Sequence, residues 1–318
     1  MSERDDEVDY AGTYERGARL TCPSCKLVLI SDDNAFDVYF DGKDLCCPSC
    51  QTMVPLWDRI LELIRNWFVF GDPLVFAGAR SLHVTETLRK QEVKEIDLTK
   101  YGVPANAEVL YINFTSGGSA LPTLLHGNAP ILGPMPPRFS VLGLGGPDMT
   151  DDGPLSLSVV WHLFDRDDTT IRHLIEAAHE YQHSRFDGVV VPANIAAEAA
   201  ITPVVALALR SFASKDRIED FLQNAATYAH QVNVLLPVIT HMVGVPDMPV
   251  HLRGILNRLR KLRNLIAHRG EALGQTRNDA AEHLTAAIFA ARFAARLARV
   301  MKNNPLPHKA ISHTSSED

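Results

Sequence analysis

The strongest constraint on this chain is a repeated tetrapeptide. Cys22-Pro-Ser-Cys25 recurs as Cys47-Pro-Ser-Cys50, and all five cysteines lie within 29 residues. Two such pairs, 21 residues apart, can bring four thiolates around one tetrahedral ion. A redox Cys-x-x-Cys site is the competing reading, but the repeat is matched and neither copy sits in a βαβ pattern. Structural zinc held by Cys22, Cys25, Cys47 and Cys50 is therefore expected. Four cysteine ligands leave no open coordination position, so no catalysis is assigned to the ion. The fifth thiol, Cys46, is expected to be a small buried side chain.

Between the pairs, Val28-Leu-Ile30 and Val38-Tyr-Phe40 are separated by Ser-Asp-Asp-Asn and followed by Asp-Gly, which predicts short strands joined by turns, as in a zinc ribbon. A segment this small has almost no core of its own, so the metal supplies its folding energy. Trp57, Ile60, Leu61, Ile64 and Phe68 then follow helical spacing up to Gly71-Asp-Pro73.

From residue 72 the period changes to two. Val109, Tyr111 and Asn113 are predicted to face one way, and Leu110, Ile112 and Phe114 the other. Leu155, Leu157, Val159, Trp161 and Leu163 alternate with Ser156, Ser158 and His162. Shorter runs at Leu74–Ala77, Val93–Leu98 and Phe139–Leu144 are read as strands. Breakers separate them, which fits a small antiparallel β-rich unit with long loops. Gly143-Leu-Gly145-Gly146 is not followed by a helix or by Lys-Ser/Thr, so it is discounted as a phosphate loop. His126, before Gly127-Asn128, reads as a turn residue rather than a ligand. A recognition or sensor role is assigned to this unit.

Five helical patterns complete the chain. The first starts near Thr169, with Asp168 or Thr169 as cap. The second starts near Val191, with Pro192 in its first turn and a kink at Pro203. The third follows Ser214 and bends at Pro237. The fourth spans Val250–His268, with Gly270 as a stop, and the fifth spans Arg277–Lys302. The fold class is α+β multidomain: acidic N-terminus 1–18, zinc ribbon 19–54, linking helix 55–71, β-rich domain 72–164, helical domain 165–302 and tail 303–318.

Over 318 residues, 46% hydrophobic and 22% charged content fit a soluble globular chain. The start, Met-Ser-Glu-Arg-Asp-Asp-Glu, has no apolar core behind it, and no apolar run reaches the length of a membrane span. A cytoplasmic protein without membrane contact is expected. The net charge of −7 is uneven: residues 251–302 hold 11 Lys/Arg against 3 Asp/Glu. Taking that +8 away leaves −15 on the rest, which suggests a polyanion partner for the C-terminal helices. Arg292, Arg296 and Arg299 share a helix face; they read as a phosphate-tracking stripe or a solvated face, the latter preferred.

Within that basic region lies Arg260-Lys-Leu-Arg-Asn-Leu-Ile-Ala-His-Arg-Gly270. A bare Arg-to-His spacing also occurs at Arg166/His173, Arg172/His179 and Arg277/His283, in a chain with 13 histidines. Only Arg263 combines a following Asn264 with a place near the end of the penultimate helix. This stretch resembles the Arg-Asn-x-x-x-His signature of the HEPN family of nucleotide-binding helical domains, over about residues 165–302. The resemblance implies a metal-independent endoribonuclease working in a homodimer cleft, in toxin or antiviral defence. Arg263, Asn264 and His268 would be catalytic, and Glu198 on the second helix would support Arg263 or orient His268. Arg260, Lys261 and Arg269 would bind RNA. The ribbon or β unit would receive an inhibitor or sensor partner. Two alternatives stay open: a non-catalytic nucleotide- or RNA-binding module, and a zinc-ribbon nucleic-acid adaptor whose helices dimerise.

Overall fold

The computed structural model describes residues 14–15, 18–31, 33–66, 72–77, 79–116, 121–124, 131–144, 152–163, 169–269 and 273–304. His126, Asp168, Gly270, Gly145-Gly146 and most of the expected acidic N-terminus and tail lie outside them. The protein mixes helices with small antiparallel sheets, and a cysteine cluster stands at its N-terminal end.

The chain begins with β1 (Tyr14–Glu15), β2 (Ala18–Thr21) and β3 (Val28–Ser31). β2 pairs with β3. Next comes α1 (Asp33–Phe40), where the sequence predicted a strand around Val38–Phe40. Phe36 and Phe40 lie one helical turn apart, and both are buried. Their rings meet Phe289 at 5.2 Å and Phe293 at 5.1 Å. A helix presents both rings to the same neighbour; a strand could not hold residues four apart in so short a span. β4 (Leu45–Cys46) pairs with β5 (Met53–Val54), and α2 (Leu56–Arg65) follows, the expected linking helix. Leu74–Ala77, read as a strand, belongs to a short helix, α3 (Asp72–Ala77). Its buried Leu74, Val75 and Phe76 pack inward. Arg292 donates to the carbonyls of Val75, at 2.9 Å, and Phe76, satisfying acceptors that a helix end leaves open.

The middle of the chain holds β6 (Arg80–Arg89), β7 (Val93–Asp97), a 3-10 turn (Leu98–Tyr101), β8 (Glu108–Ser116), β9 (Leu121–Leu124), β10 (Ile131–Met135), β11 (Arg138–Leu144) and β12 (Asp152–His162). Five strands form one sheet in the order β1-β6-β12-β8-β10, and three form another in the order β7-β11-β9. β6 was not expected from the sequence. Its inward positions run Leu82, Val84, Glu86, Leu88, so a carboxylate interrupts the apolar face; Glu86 is satisfied there by the Tyr101 hydroxyl and by Lys94 at 2.9 Å. Gly143 lies in β11, where an added Cβ would come within 2.1 Å of the Arg89 carbonyl. The glycine serves close backbone approach, not phosphate binding.

One core lies between the two sheets, built on Val84, Ile96, Val109, Ile112, Val141 and Leu157. The expected alternation along β8 fails at a bulge, where Val160 pairs with Tyr111 and Trp161 with Val109. The skipped residue lets Leu110 and Tyr111 both join the second core, while Val109 and Ile112 stay in the first. Tyr111 thus leaves the face that strict alternation assigned to it.

The second core belongs to α4 (Thr169–Gln182), α5 (Phe186–Leu209), α6 (Lys215–Asn224), α7 (Tyr228–His230), α8 (Leu236–Val243), α9 (Val250–Arg269) and α10 (Arg277–Asn303). α5 begins at Phe186, ahead of the expected Val191, so Pro192 and Pro203 are both interior to it. The third pattern breaks after Asn224, and Thr227 caps a new start by accepting from the His230 N–H. A π turn over Gln231–Leu235 then leads into α8. Pro237 has no N–H to donate back, and the wider turn just before it accommodates that loss. α9 and α10 start at the predicted residues. Thr276 and Asp279 close a capping box at the head of α10. Alanines 193, 196 and 197 on α5 and 280, 281, 286 and 287 on α10 are buried, and the small side chains let these long helices pack closely. Among the described helices, α5 alone is long and apolar enough to cross a membrane; here it is the central helix of the bundle, packed on α4 and α10.

Leu20, Phe36, Phe40, Val54, Leu56 and Ile60 belong to the same core as the helices. The cysteine-bearing segment, expected to have almost no core, therefore shares one with the helices. Arg292, Arg296 and Arg299 fasten it and are engaged rather than free for phosphate, although Arg299 keeps the solvent exposure expected of it. Arg296 bonds Asp41 at 2.6 Å and the Asp37 carbonyl at 3.1 Å. Arg299 bonds the Asp37 carboxylate at 2.6 Å, and Arg292 lies over the Phe36 ring.

Candidate functional site

The four expected ligand cysteines do come together. Cys22 and Cys50 sulfurs lie 3.6 Å apart, as do those of Cys25 and Cys47, and all four fall within 4.8 Å of one another. Each pair sits on the same local turn. The Cys22 carbonyl accepts from Lys26 N–H at 3.1 Å, and the Cys47 carbonyl from Gln51 N–H at 2.9 Å. Lys26 and Gln51 both adopt positive φ, 61° and 58°. Two copies of one strained turn are what the repeated Cys-Pro-Ser-Cys encodes. The thiols influence one another: the Thr52 hydroxyl and backbone hold the Cys50 thiol down to about 6, while Cys25 is pushed up to about 11 among its neighbouring sulfurs. These four residues could hold a metal ion. Cys46 is exposed, not buried as expected; it stands at the end of β4 and donates to Gln51 Oε1 at 3.3 Å.

At the other expected site, Arg260, Lys261, Arg263, Asn264, His268 and Arg269 all lie on α9. Most of the basic charge on α9 and α10 is committed elsewhere. Arg253 pairs with Asp247 at 2.9 Å and Arg258 with Glu282. Arg277 donates to the Tyr181 hydroxyl at 3.3 Å. Arg292, Arg296 and Arg299 hold the N-terminal segment. Among the described residues, Arg260, Lys261 and Arg263 have no carboxylate partner. Arg263 is half-buried and donates to the Asn264 carboxamide at 3.3 Å. His268 is exposed, next to the last residue of the helix. α9 runs unbroken through Arg263 and His268. Five residues rotate by about 140° on a helix, so the two side chains leave one copy in different directions.

Glu198 is bonded to neither Arg263 nor His268. Its field acts instead on Tyr228, a buried residue whose hydroxyl has no partner. Burial and the Glu198 charge push that hydroxyl far up, and Arg260 pulls it back. Arg260 Nε is itself buried and unpartnered. Asp187, at the head of α5, accepts from the N–H groups of Leu273, Gly274 and Gln275, just beyond α9. α5 and α9 are thus antiparallel, with Glu198 facing the level of Arg260.

Two features escaped the sequence reading. Asn194, one turn before Glu198, is 1% exposed with its Oδ1 unpartnered; a lone carboxamide inside an apolar stretch was its signal. His179-Glu-Tyr-Gln-His183 is a His-Glu-x-x-His sequence at the end of α4, hidden because histidines were sought only by their distance from arginine.

No protein family, no curated protein and no solved structure matches this chain.

Proposed function

We propose that this protein is a HEPN-type endoribonuclease whose cleavage step needs no metal, with an N-terminal zinc ribbon, a β-rich middle domain and a C-terminal catalytic bundle. The observation that carries the reading is the set of cations without a carboxylate on α9: Arg260, Lys261 and Arg263 precede Asn264 and an exposed imidazole, while nearly every other described arginine nearby is engaged. A desolvated guanidinium without a carboxylate is poised for a phosphate. RNA brings its own nucleophile, the 2′-hydroxyl. His268 takes or returns the proton, Arg263 forks onto the phosphate oxygens as charge builds, and Asn264 holds RNA or the imidazole. Arg260, Lys261 and Arg269 track the backbone, with Glu198 fixing the field behind them. Because Arg263 and His268 diverge on one straight helix, the cleft needs two copies related by a twofold axis. Products carry 2′,3′-cyclic phosphate and 5′-hydroxyl ends. A toxin or antiviral role in the cytoplasm follows from the same resemblance.

The ribbon ion is read as zinc. Four sulfurs at about 2.3 Å from a tetrahedral Zn²⁺ stand about 3.8 Å apart, close to the 3.6 Å seen here.

The test incubates zinc-loaded protein with total RNA in buffer containing EDTA, and maps the new ends. His268→Ala and Arg263→Ala should each lose about 100-fold or more in cleavage rate while keeping the wild-type circular dichroism. Cleavage that persists in both variants would remove the assignment. Binding of RNA or nucleotide without any cleavage by wild type would favour the second reading, a recognition module in which Arg263 anchors phosphate; the divergence of Arg263 and His268 on a continuous helix is the observation in its favour.

A further inference from the structure

The last turn of α4 holds chemistry that the RNA reading does not use. His179 and His183 stand four residues apart, so a helix stacks them on one face. Their ring centroids are 4.2 Å apart and the rings are tilted by 39°. His183 Nδ1 bonds the His179 carbonyl at 2.8 Å. A carbonyl only accepts, so Nδ1 carries the hydrogen and the lone pair sits on Nε2, on the outer edge of the ring. A backbone carbonyl holding the far nitrogen is the usual support of a metal-bound histidine. His179 Nδ1 instead accepts from Arg185 Nη2 at 3.4 Å, with Glu180 Oε1 3.8 Å away, so this ring must move its hydrogen from Nε2 to Nδ1 before it can bind an ion through Nε2. Its Nε2 has no bond among the described residues. Both rings reach solvent; the His179 side chain is 40% exposed.

The location also favours a cation. The pair stands at the C-terminus of a 14-residue helix, where unpaired carbonyls and the helix dipole attract positive charge. Glu180 adds a fixed carboxylate. Arg185 grips it at 2.6 and 2.7 Å, and it packs so tightly over Gly188 that a Cβ there would come within 2.4 Å of it. That grip holds Glu180 beside His179, facing the Nδ1 hydrogen that the ring gains when it gives up the Arg185 bond and binds through Nε2. It also keeps the carboxylate off any bound water, so no hydrolytic role is assigned to it.

We propose that His179 and His183 chelate a divalent transition ion of the zinc–nickel group through their two Nε2 atoms, with water filling the other positions. Imidazole is a good ligand for both ions. The site is separate from the cysteine cluster and does not depend on the RNA reading.

The test uses full-length protein carrying one equivalent of zinc on its cysteines, freed of excess metal. Titration with Zn²⁺ by calorimetry should reveal a second equivalent, and Ni²⁺ should selectively broaden the ring-proton resonances of two histidines. His179→Ala and His183→Ala should each weaken the second equivalent about tenfold or more, leaving the first intact. His173→Ala, on the same helix but paired with Glu176 at 2.9 Å, should change neither. Since His183 is exposed and His179 half-exposed, both variants should keep the wild-type fold, checked by circular dichroism. A wild type that takes up no second equivalent would overturn the proposal. So would a second equivalent that survives both substitutions.

Discussion

His283 sits inside α10 with 1% of its surface exposed and neither ring nitrogen bonded. Burial, helped by the nearby Arg258 charge, holds it down to about 4, and Asp279 only partly offsets this. The unfolded chain titrates near 6.5, so between about 4 and 6.5 the unfolded state binds the proton and the folded state does not. Stability is therefore whole above pH 6.5 and declines as pH falls toward 4, by roughly 3 kcal/mol if the full shift is expressed. His251, lowered by burial, adds a slope of the same sign. In His283→Leu the decline should be much shallower, leaving the variant the more stable of the two at pH 5; urea midpoints across this window provide the check. A wild-type slope in the variant would place the effect elsewhere. Arg296 argues from the opposite condition. Its side chain is 12% exposed and fully engaged by Asp37 and Asp41. Charge-assisted hydrogen bonds of this kind contribute on the order of 2 kcal/mol, so Arg296→Ala should lower stability by about that much in urea unfolding, and Arg299→Ala, at 42% exposed, by less. Neither arginine was assignable from sequence: a stripe at i, i+4, i+7 shows which face the charges share, and their partners lie more than 250 residues away.

Among the elements, α4, α9 and α10 were legible because local signals agree with packing. Thr276 and Asp279 spell a capping box, and Ile255 and Leu259 repeat at helical spacing on the buried face. The Cys-Pro-Ser-Cys turns were legible for the same reason, since each is closed by its own backbone. α1 and α3 were not, because Phe36, Phe40 and Phe76 become helical through partners on α10, and β6 was not, because Glu86 breaks its apolar face. α9 depends on a third kind of contact. Burial alone would push the Asp187 carboxyl up, yet the N–H groups of Gln275, Leu273 and Gly274 together hold it below the usual carboxylate range. This anchor ties the turn after α9 to the head of α5. Asp187→Ala leaves three N–H groups without their acceptor and should cost roughly 2 to 3 kcal/mol. Hydrogen exchange should quicken at residues 273–275 and in the last turn of α9, and RNA cleavage should fall even though Asp187 touches no reacting group. Unchanged exchange there would mean that the turn is held by other contacts.

On the scale of the molecule, the cysteine-bearing segment and the helical bundle share one apolar core. The aromatic cluster of Phe36, Phe40, Phe289 and Phe293 crosses between them, and Tyr39 extends it by bonding His251 Nε2 at 2.8 Å at the start of α9. α10, which receives α1, also packs on α5 and on α9, the proposed RNA-cleaving helix. Structural zinc sites are worth on the order of 10 kcal/mol of binding free energy, comparable with the whole stability of a domain. If the segment were an appendage, chelation would melt it alone and leave the helices and their activity intact. With a shared core, loss of an ion bound at the cysteines would loosen α1, and with it the cover that Phe36 and Phe40 give α10 and the Asp37 and Asp41 partners of Arg296 and Arg299. Metal removal with a strong thiol-competent chelator, or Cys22→Ser together with Cys47→Ser, should therefore lower the melting of the helical signal at 222 nm in a single shifted transition, with faster hydrogen exchange along residues 289–297. Re-addition of zinc should restore the wild-type curve for the chelated protein and not for the cysteine variant. Two separate transitions, the helical one unmoved, would show that the ribbon folds apart and that its aromatic contacts carry little of the bundle's stability.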